Sequence, residues 1–210
     1  VWSRSDRPAR MIVEWSRDER FRAVKRIAGP TSGEAADFTV RRLIDGLEAG
    51  RDVFVRGSFE SLGKERATSG PVPARFPVPP NPSPDADWRS RPGTGGLRFV
   101  WGADTAGQGW GINPDFGGMK IYEAMRLRHP LFFIHTGDTI YADGPIAESV
   151  TTGTGAVWKN IVTPQVSKVA ETLDEFRGRY RYNLLDAHVR RFNSEVPQVW
   201  QWDDHEVMVN

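Results

Sequence analysis

The sequence predicts an α+β chain in two parts, an N-terminal antiparallel β-sandwich followed by an α/β domain with a parallel sheet. Three observations lead there. Residues 1 to 78 carry short β-branched and aromatic runs about 12 residues apart, with no helical period. Residues 71–96 hold eight prolines, a density that neither a helix nor a central strand tolerates. From Leu97 onward the pattern becomes strand, helix, strand, which implies parallel strands joined by a right-handed crossover.

In the first part, strands are expected over 10–15 (RMIVEW), 21–26 (FRAVKR), 37–43 (DFTVRRL) and 51–59 (RDVFVRGSF). Turn signals at Asp6-Arg7-Pro8, Gly29 to Gly33 and Gly46 to Gly50 separate them. The run Gly46-Leu47-Glu48-Ala49-Gly50-Arg51 before VFVR resembles the loop and penultimate strand of fibronectin type III modules, with Phe54 in place of the corner tyrosine. This segment has no histidine and its acids are dispersed, so it reads as a scaffold or lid. Residues 71–96 read as an extended linker, with 1–78 the sandwich, 79–96 the proline-rich boundary and 97–210 the second domain.

The second part opens with a strand over 97–104 that ends at Asp104. A glycine-rich loop from Gly107 to Gly118 carries Trp110, either covering a substrate or anchoring an ordered loop. A helix is expected over 119–129, with Ile121, Met125 and Leu127 or Arg128 at roughly helical spacing and Pro130 as its stop. LFFIHTGDTIYADGP (131–145) then places an apolar run directly before Gly137-Asp138. Open α/β sheets put their chemistry just past the carboxyl ends of such strands. A polar loop follows to about Thr163, then a long helical pattern over 166–192, then a strand over 196–202 that runs into Asp203-Asp204-His205-Glu206.

Three strands thus end in acids: Asp104, Asp138, and Asp203 or Asp204. On neighbouring strands their carboxylates converge, and converging carboxylates repel unless protonated or bound to cations. A metal is one reading, and helix or turn capping is the other. Tyr141 is a ligand or a packed aromatic, and His205 a ligand, a general acid or a core histidine. His129 reads as a helix-end residue, His188 as a helix-surface one and His135 as a partner near Asp138.

The bulk numbers narrow the classes. Net charge is +1 over 210 residues, so no strong field favours nucleic acid or anionic lipid. With no cysteine there are no disulfides, and any metal takes oxygen and imidazole ligands. No apolar run reaches the roughly 20 residues that a membrane helix needs. The chain begins Val1-Trp2 without Met, which is compatible with a removed export signal.

Gly137-Asp138-Thr139-Ile140-Tyr141 and Trp202-Asp203-Asp204-His205-Glu206 resemble the paired motifs of PhoD-like alkaline phosphatases, in the metallophosphoesterase superfamily. GADTAGQGWGINPDFGGM (102–119) resembles the first motif of one branch, and the fibronectin-like segment fits the family's N-terminal module. The resemblance implies an α/β/β/α sandwich with a di- or multinuclear metal site, iron and calcium foremost and zinc or manganese as alternatives. Asp138 would bridge the ions, Asp104 and Tyr141 would bind the first, and Asp204 stands where the superfamily has a metal-binding Asn. His205 would stabilise the transition state or protonate the leaving group.

The reaction implied is hydrolysis of phosphate mono- or diesters, in a periplasmic or secreted enzyme. Asp104 departs from the Cys that some relatives carry. No histidine follows His205, whereas the superfamily supplies further ligands downstream, so a C-terminal portion, on this or a separate chain, is expected to complete the site. Two other classes remain open: a phosphotransferase with an aspartyl nucleophile, and a secreted β-sandwich binding module with a degenerate α/β domain.

Overall fold

A computed structural model describes residues 1–63, 67–79 and 98–207. The chain divides into two compact units, Val1–Arg91 and Pro92–Asn210.

The first unit contains β1 (Trp2–Arg4), β2 (Ala9–Ser16), β3 (Lys25–Thr31), β4 (Thr39–Arg41), β5 (Asp52–Ser61) and β6 (Val72–Pro77). A four-stranded antiparallel sheet runs β3-β2-β5-β6, and β1 pairs with β4 in a second antiparallel sheet. Met11, Val13 and Trp15 alternate along β2 and meet Val53 and Val55 of β5 and Val40 of β4 in one core. Each such fully buried side chain is worth about 1.5–3 kcal/mol over exposure, so this cluster is what makes the two sheets pack. Phe54 lies between two core positions and faces outward, under the Arg75 guanidinium at 5.6 Å.

Several boundaries moved: β3 runs on through Gly29 and Pro30, where a turn was expected, and the strand expected over 37–43 narrows to Thr39–Arg41. The strand expected over 21–26 begins at Lys25, because Phe21 has a left-handed backbone (φ 51) and the Asp18 carboxylate accepts the backbone N–H groups of Arg20 and Arg22 in a turn. Residues 72–77, read as linker, form β6 instead. Pro73 and Pro77 fit there because β6 is an edge strand, with one row of N–H positions that need no partner. The remainder of the proline-rich stretch, 80–97, lies outside the described residues.

The second unit contains β7 (Val100–Gly102), α1 (Lys120–Arg126), β8 (Phe133–His135), β9 (Ser149–Thr151), β10 (Val157–Lys159), α2 (Leu173–Asn183), α3 (Ala187–Glu195) and β11 (Gln198–Trp200). The strands after the prolines are parallel, as expected, in the order β11-β8-β7. Phe133, on the central strand, meets Phe192 of α3 at 5.3 Å and Tyr122 of α1 at 6.4 Å, edge to face, and this aromatic cluster seats both helices on the sheet. The loop expected after Pro145 contains a β9–β10 antiparallel hairpin.

The helix expected over 166–192 is two helices. The Thr172 hydroxyl and the Glu175 carboxylate form a capping box that starts α2. The buried Asp186 carboxylate accepts N–H bonds from His188 and Val189 and starts α3, so the chain turns between them. Val166 and Val169 precede the first helix. Val166 is buried all the same, against Ile112, Ile146 and Tyr182. Of the positions expected at helical spacing on α1, Met125 packs against the Phe133 cluster, whereas Ile121 is 63% exposed and Leu127 56%, and Tyr122 and Arg126 are the buried ones. Arg126 can be buried because it donates to the carboxylates of Glu123 and Glu195.

Candidate metal centre

Because β7, β8 and β11 are parallel neighbours, the loops that leave them emerge along one sheet edge. Asp104 lies two residues past β7, Asp138 three past β8, and Asp203 and Asp204 three and four past β11. Backbone bonds knit these loops together. Thr105 N–H donates to the Asp138 carbonyl at 2.8 Å, and Ala142 N–H to the His205 carbonyl at 2.9 Å. Asp104 (φ 59) and Asp138 (φ 54) both have left-handed backbones, a conformation that costs a non-glycine residue about 1–2 kcal/mol. Gly137 (φ 110) also has no room for a side chain, since a Cβ there would lie 2.4 Å from the Asp203 Cβ.

The side chains converge. The Tyr141 hydroxyl donates to Asp104 Oδ1 at 2.5 Å and to Asp138 Oδ2 at 3.4 Å. Ligand atoms of Asp138, Asp204 and His205 all lie within 4.8 Å of one another. The Tyr141 and His205 rings are 4.3 Å apart. Burial, and then the Asp104 carboxylate, push the Tyr141 phenol above its ordinary range. Burial likewise raises Asp138, against the opposing pull of His205. For His205, burial works to lower the pKa, but the Asp143, Asp138 and Asp204 carboxylates together raise it.

Asp138 Oδ1 is buried with no hydrogen-bond partner among the described residues. A buried carboxylate oxygen left unpaired is costly, and a proton or a cation removes that cost. The donors gathered here are oxygen and imidazole, a set that suits a hard or borderline ion.

All five expected site residues, Asp104, Asp138, Tyr141, Asp204 and His205, stand at this edge. Of the alternatives Asp203 and Asp204, Asp203 does the capping: its carboxylate accepts the Asp204 N–H at 3.0 Å. His188 lies on α3, against the Gly117 carbonyl, and His129 follows α1. His135 is buried, with its ring nitrogens 2.9 Å from the Thr105 hydroxyl and 3.3 Å from that of Thr139, and burial lowers its pKa.

Four contributors were missed. Asp143 Oδ2 lies 2.7 Å from His205 Nδ1, orienting the ring. Glu206 is buried, and its carboxylate accepts the backbone N–H groups of Asp203, Asp138 and Ile140 at 2.7, 3.0 and 3.1 Å, clamping the β8 loop to the β11 loop. From α2, Arg179 donates to the Tyr141 carbonyl and Asn183 to the Thr139 carbonyl. An acid five residues after Asp138 was visible in the sequence, but its partner is 62 residues away.

Residues 99–210 match the family described as PhoD-like phosphatase, and residues 1–73 match the PhoD-like phosphatase, N-terminal domain. No curated protein matches the chain. Among solved structures, that of PhoD superposes with a TM-score of 0.71 at 22% identity, over 100% of this chain and 37% of that one. A purple acid phosphatase, PPD1 from yellow lupin seeds, aligns with a TM-score of 0.49 at 12% identity, over 93% of this chain and 30% of that one. The antiparallel sheets followed by a parallel sheet with helices match part of the PhoD fold, and the chain spans just over a third of that protein's length. With both parts of the sequence matched by its models, the chain belongs to the PhoD-like phosphatase family.

Proposed function

We propose that the protein hydrolyses phosphate mono- or diesters at a di- or multinuclear metal site on the carboxyl edge of the β11-β8-β7 sheet. The observation that carries this is the buried, unpartnered Asp138 Oδ1 at the point where Asp104, Tyr141, Asp204 and His205 converge. Asp138 would bridge two ions, Asp104 and Tyr141 would hold one and Asp204 the other. Iron and calcium are the first candidates, with zinc or manganese as alternatives. Bound metal would supply Lewis-acid activation of the ester and of the attacking water.

The chain's own residues do the rest. His205, held through Nδ1 by Asp143, presents its other ring nitrogen to the ester and delivers a proton to the departing alcohol oxygen. Glu206 keeps Asp138 aimed, through the backbone N–H groups of Asp138 and Ile140. Further ligands would come from the parts of the PhoD fold that these 210 residues do not cover, on the same or a separate chain, and the enzyme would act in the periplasm or outside the cell. Among the described residues no helix is long and apolar enough to cross a membrane.

Asp138→Asn tests the reading. In the protein as natively purified, tightly bound metal should fall and phosphate-ester turnover should drop about 100-fold or more. Unchanged turnover together with unchanged metal content would refute it.

A further inference from the structure

The loop from Gly107 to Gly118 carries Trp110 and Phe116, and the β9–β10 hairpin carries Trp158. The two indoles meet edge to face at 5.8 Å, and the Phe116 ring lies 5.0 Å from Trp158. Trp110 is 41% exposed and Phe116 53%. Core packing does not account for large rings left in water side by side.

The backbone beneath them is nevertheless firmly held. Trp110 N–H donates to the Gly107 carbonyl at 2.9 Å, and Gly111 N–H to Asn160 Oδ1 at 2.8 Å. The Asn160 amide donates to the carbonyls of Gly109 and Ala147, and Trp158 Nε1–H to that of Gly111. An exposed ring surface on a fixed frame is preorganised for binding. Its position adds to this. Gly107 lies so close to the Tyr141 ring that a Cβ would fall 1.9 Å from Cδ2, and the Tyr141 hydroxyl bonds Asp104. The loop that carries Trp110 and Phe116 therefore starts at a residue packed on Tyr141 of the candidate metal centre.

The geometry points to Trp110, Phe116 and Trp158 as the face that receives the alcohol side of the phosphate ester, selecting esters whose leaving group carries a flat aromatic ring. This rests on the phosphoesterase reading above and adds which esters it favours. An aryl group and a nucleobase both present a π face that can stack on an indole, and an alkyl group does not.

The test compares kcat/KM for phenyl phosphate, a 5′-nucleotide and glycerol 3-phosphate in the protein, its Trp110→Ala variant and its Trp110→Phe variant. Trp110→Ala should lower the ring-over-alkyl ratio about tenfold, the scale of one base–aromatic stack, and Trp110→Phe should restore most of it. A fall confined to phenyl phosphate assigns the face to aryl esters, and one confined to the nucleotide assigns it to nucleobases. Unchanged ratios in Trp110→Ala overturn the assignment. A protein that turns over none of the three, nor the diester diphenyl phosphate, sinks the phosphoesterase reading by itself. The face is then read by NMR: the indole N–H signals of Trp110 and Trp158 should shift with phenylphosphonate and not with methylphosphonate, and equal or absent shifts overturn it.

Discussion

Asp143 shows how a single side chain decides what a neighbour can do. His205 has two ring nitrogens, and the 2.7 Å contact from Nδ1 to Asp143 leaves Nε2 as the one free to meet a substrate. Asn at 143 keeps the size but replaces the charged acceptor with a neutral amide that can turn its NH2 toward the ring. Asp143→Asn is therefore expected to lower kcat about 10- to 100-fold with KM little changed, which steady-state kinetics on a phosphate ester would show. A rise in KM with kcat unchanged would mean that the contact only positions the site. Glu206 works through the backbone instead: one buried carboxylate takes three N–H groups from two loops, so the position of Asp138 depends on a residue that never faces the substrate.

At the scale of elements, helices α1 and α3 are tied by charge as well as by rings. Arg126 bonds both oxygens of Glu123 on its own helix and one oxygen of Glu195 on α3. That guanidinium holds the Glu123 carboxyl at about 2, well below its ordinary 4.5. Glu175, in the capping box of α2 and beside Lys168, is likewise held at about 2. Both folded pKa values are depressed, so the stability they bring is fully present above about pH 4.5 and is lost as pH falls from there toward 2. Glu123→Gln should flatten this acid limb in urea melts recorded between pH 5 and pH 2, and an unchanged slope would show that the ion pair is too well solvated to count.

For the whole molecule, folding and metal binding are expected to be coupled. The second unit brings carboxylates to one edge and leaves a buried oxygen unpaired, so metal should bind the folded chain far better than the unfolded one. A ligand held at 100 times its Kd adds about 2.7 kcal/mol to folding. Chelation of the purified protein should therefore lower Tm by several degrees, and Asp138→Ala should abolish the difference between chelated and metal-supplied samples. Equal Tm values with and without chelator in the unmutated protein would count against a metal in this place. Asp138→Ala also removes the unpaired oxygen, so its chelated form should melt no lower than the chelated parent.

Much of this architecture was legible from residue order. Val, Ile and Phe runs with turn residues between them determined that strands form near 10–15, 51–59 and 131–134, because local propensity and burial period act over a few residues. The acids after three apolar runs marked the residues that the structure brings to one sheet edge, and GDTIY with DDHE carried the family. Other features needed distant partners. Pro73 and Pro77 sit in a strand only because β6 lies at an edge, and edge position is a property of the sheet. The 166–192 pattern breaks in two because Asp186 reaches the backbone of Met119, Gly118 leaving it the space, as well as that of α3. The Asp143–His205 pair and the Glu206 clamp likewise came from loops separated by more than 60 residues of chain. Local sequence determined which groups this protein can use. Only the parallel pairing of β7, β8 and β11 decided which of them stand together, because convergence depends on how strands neighbour one another in space.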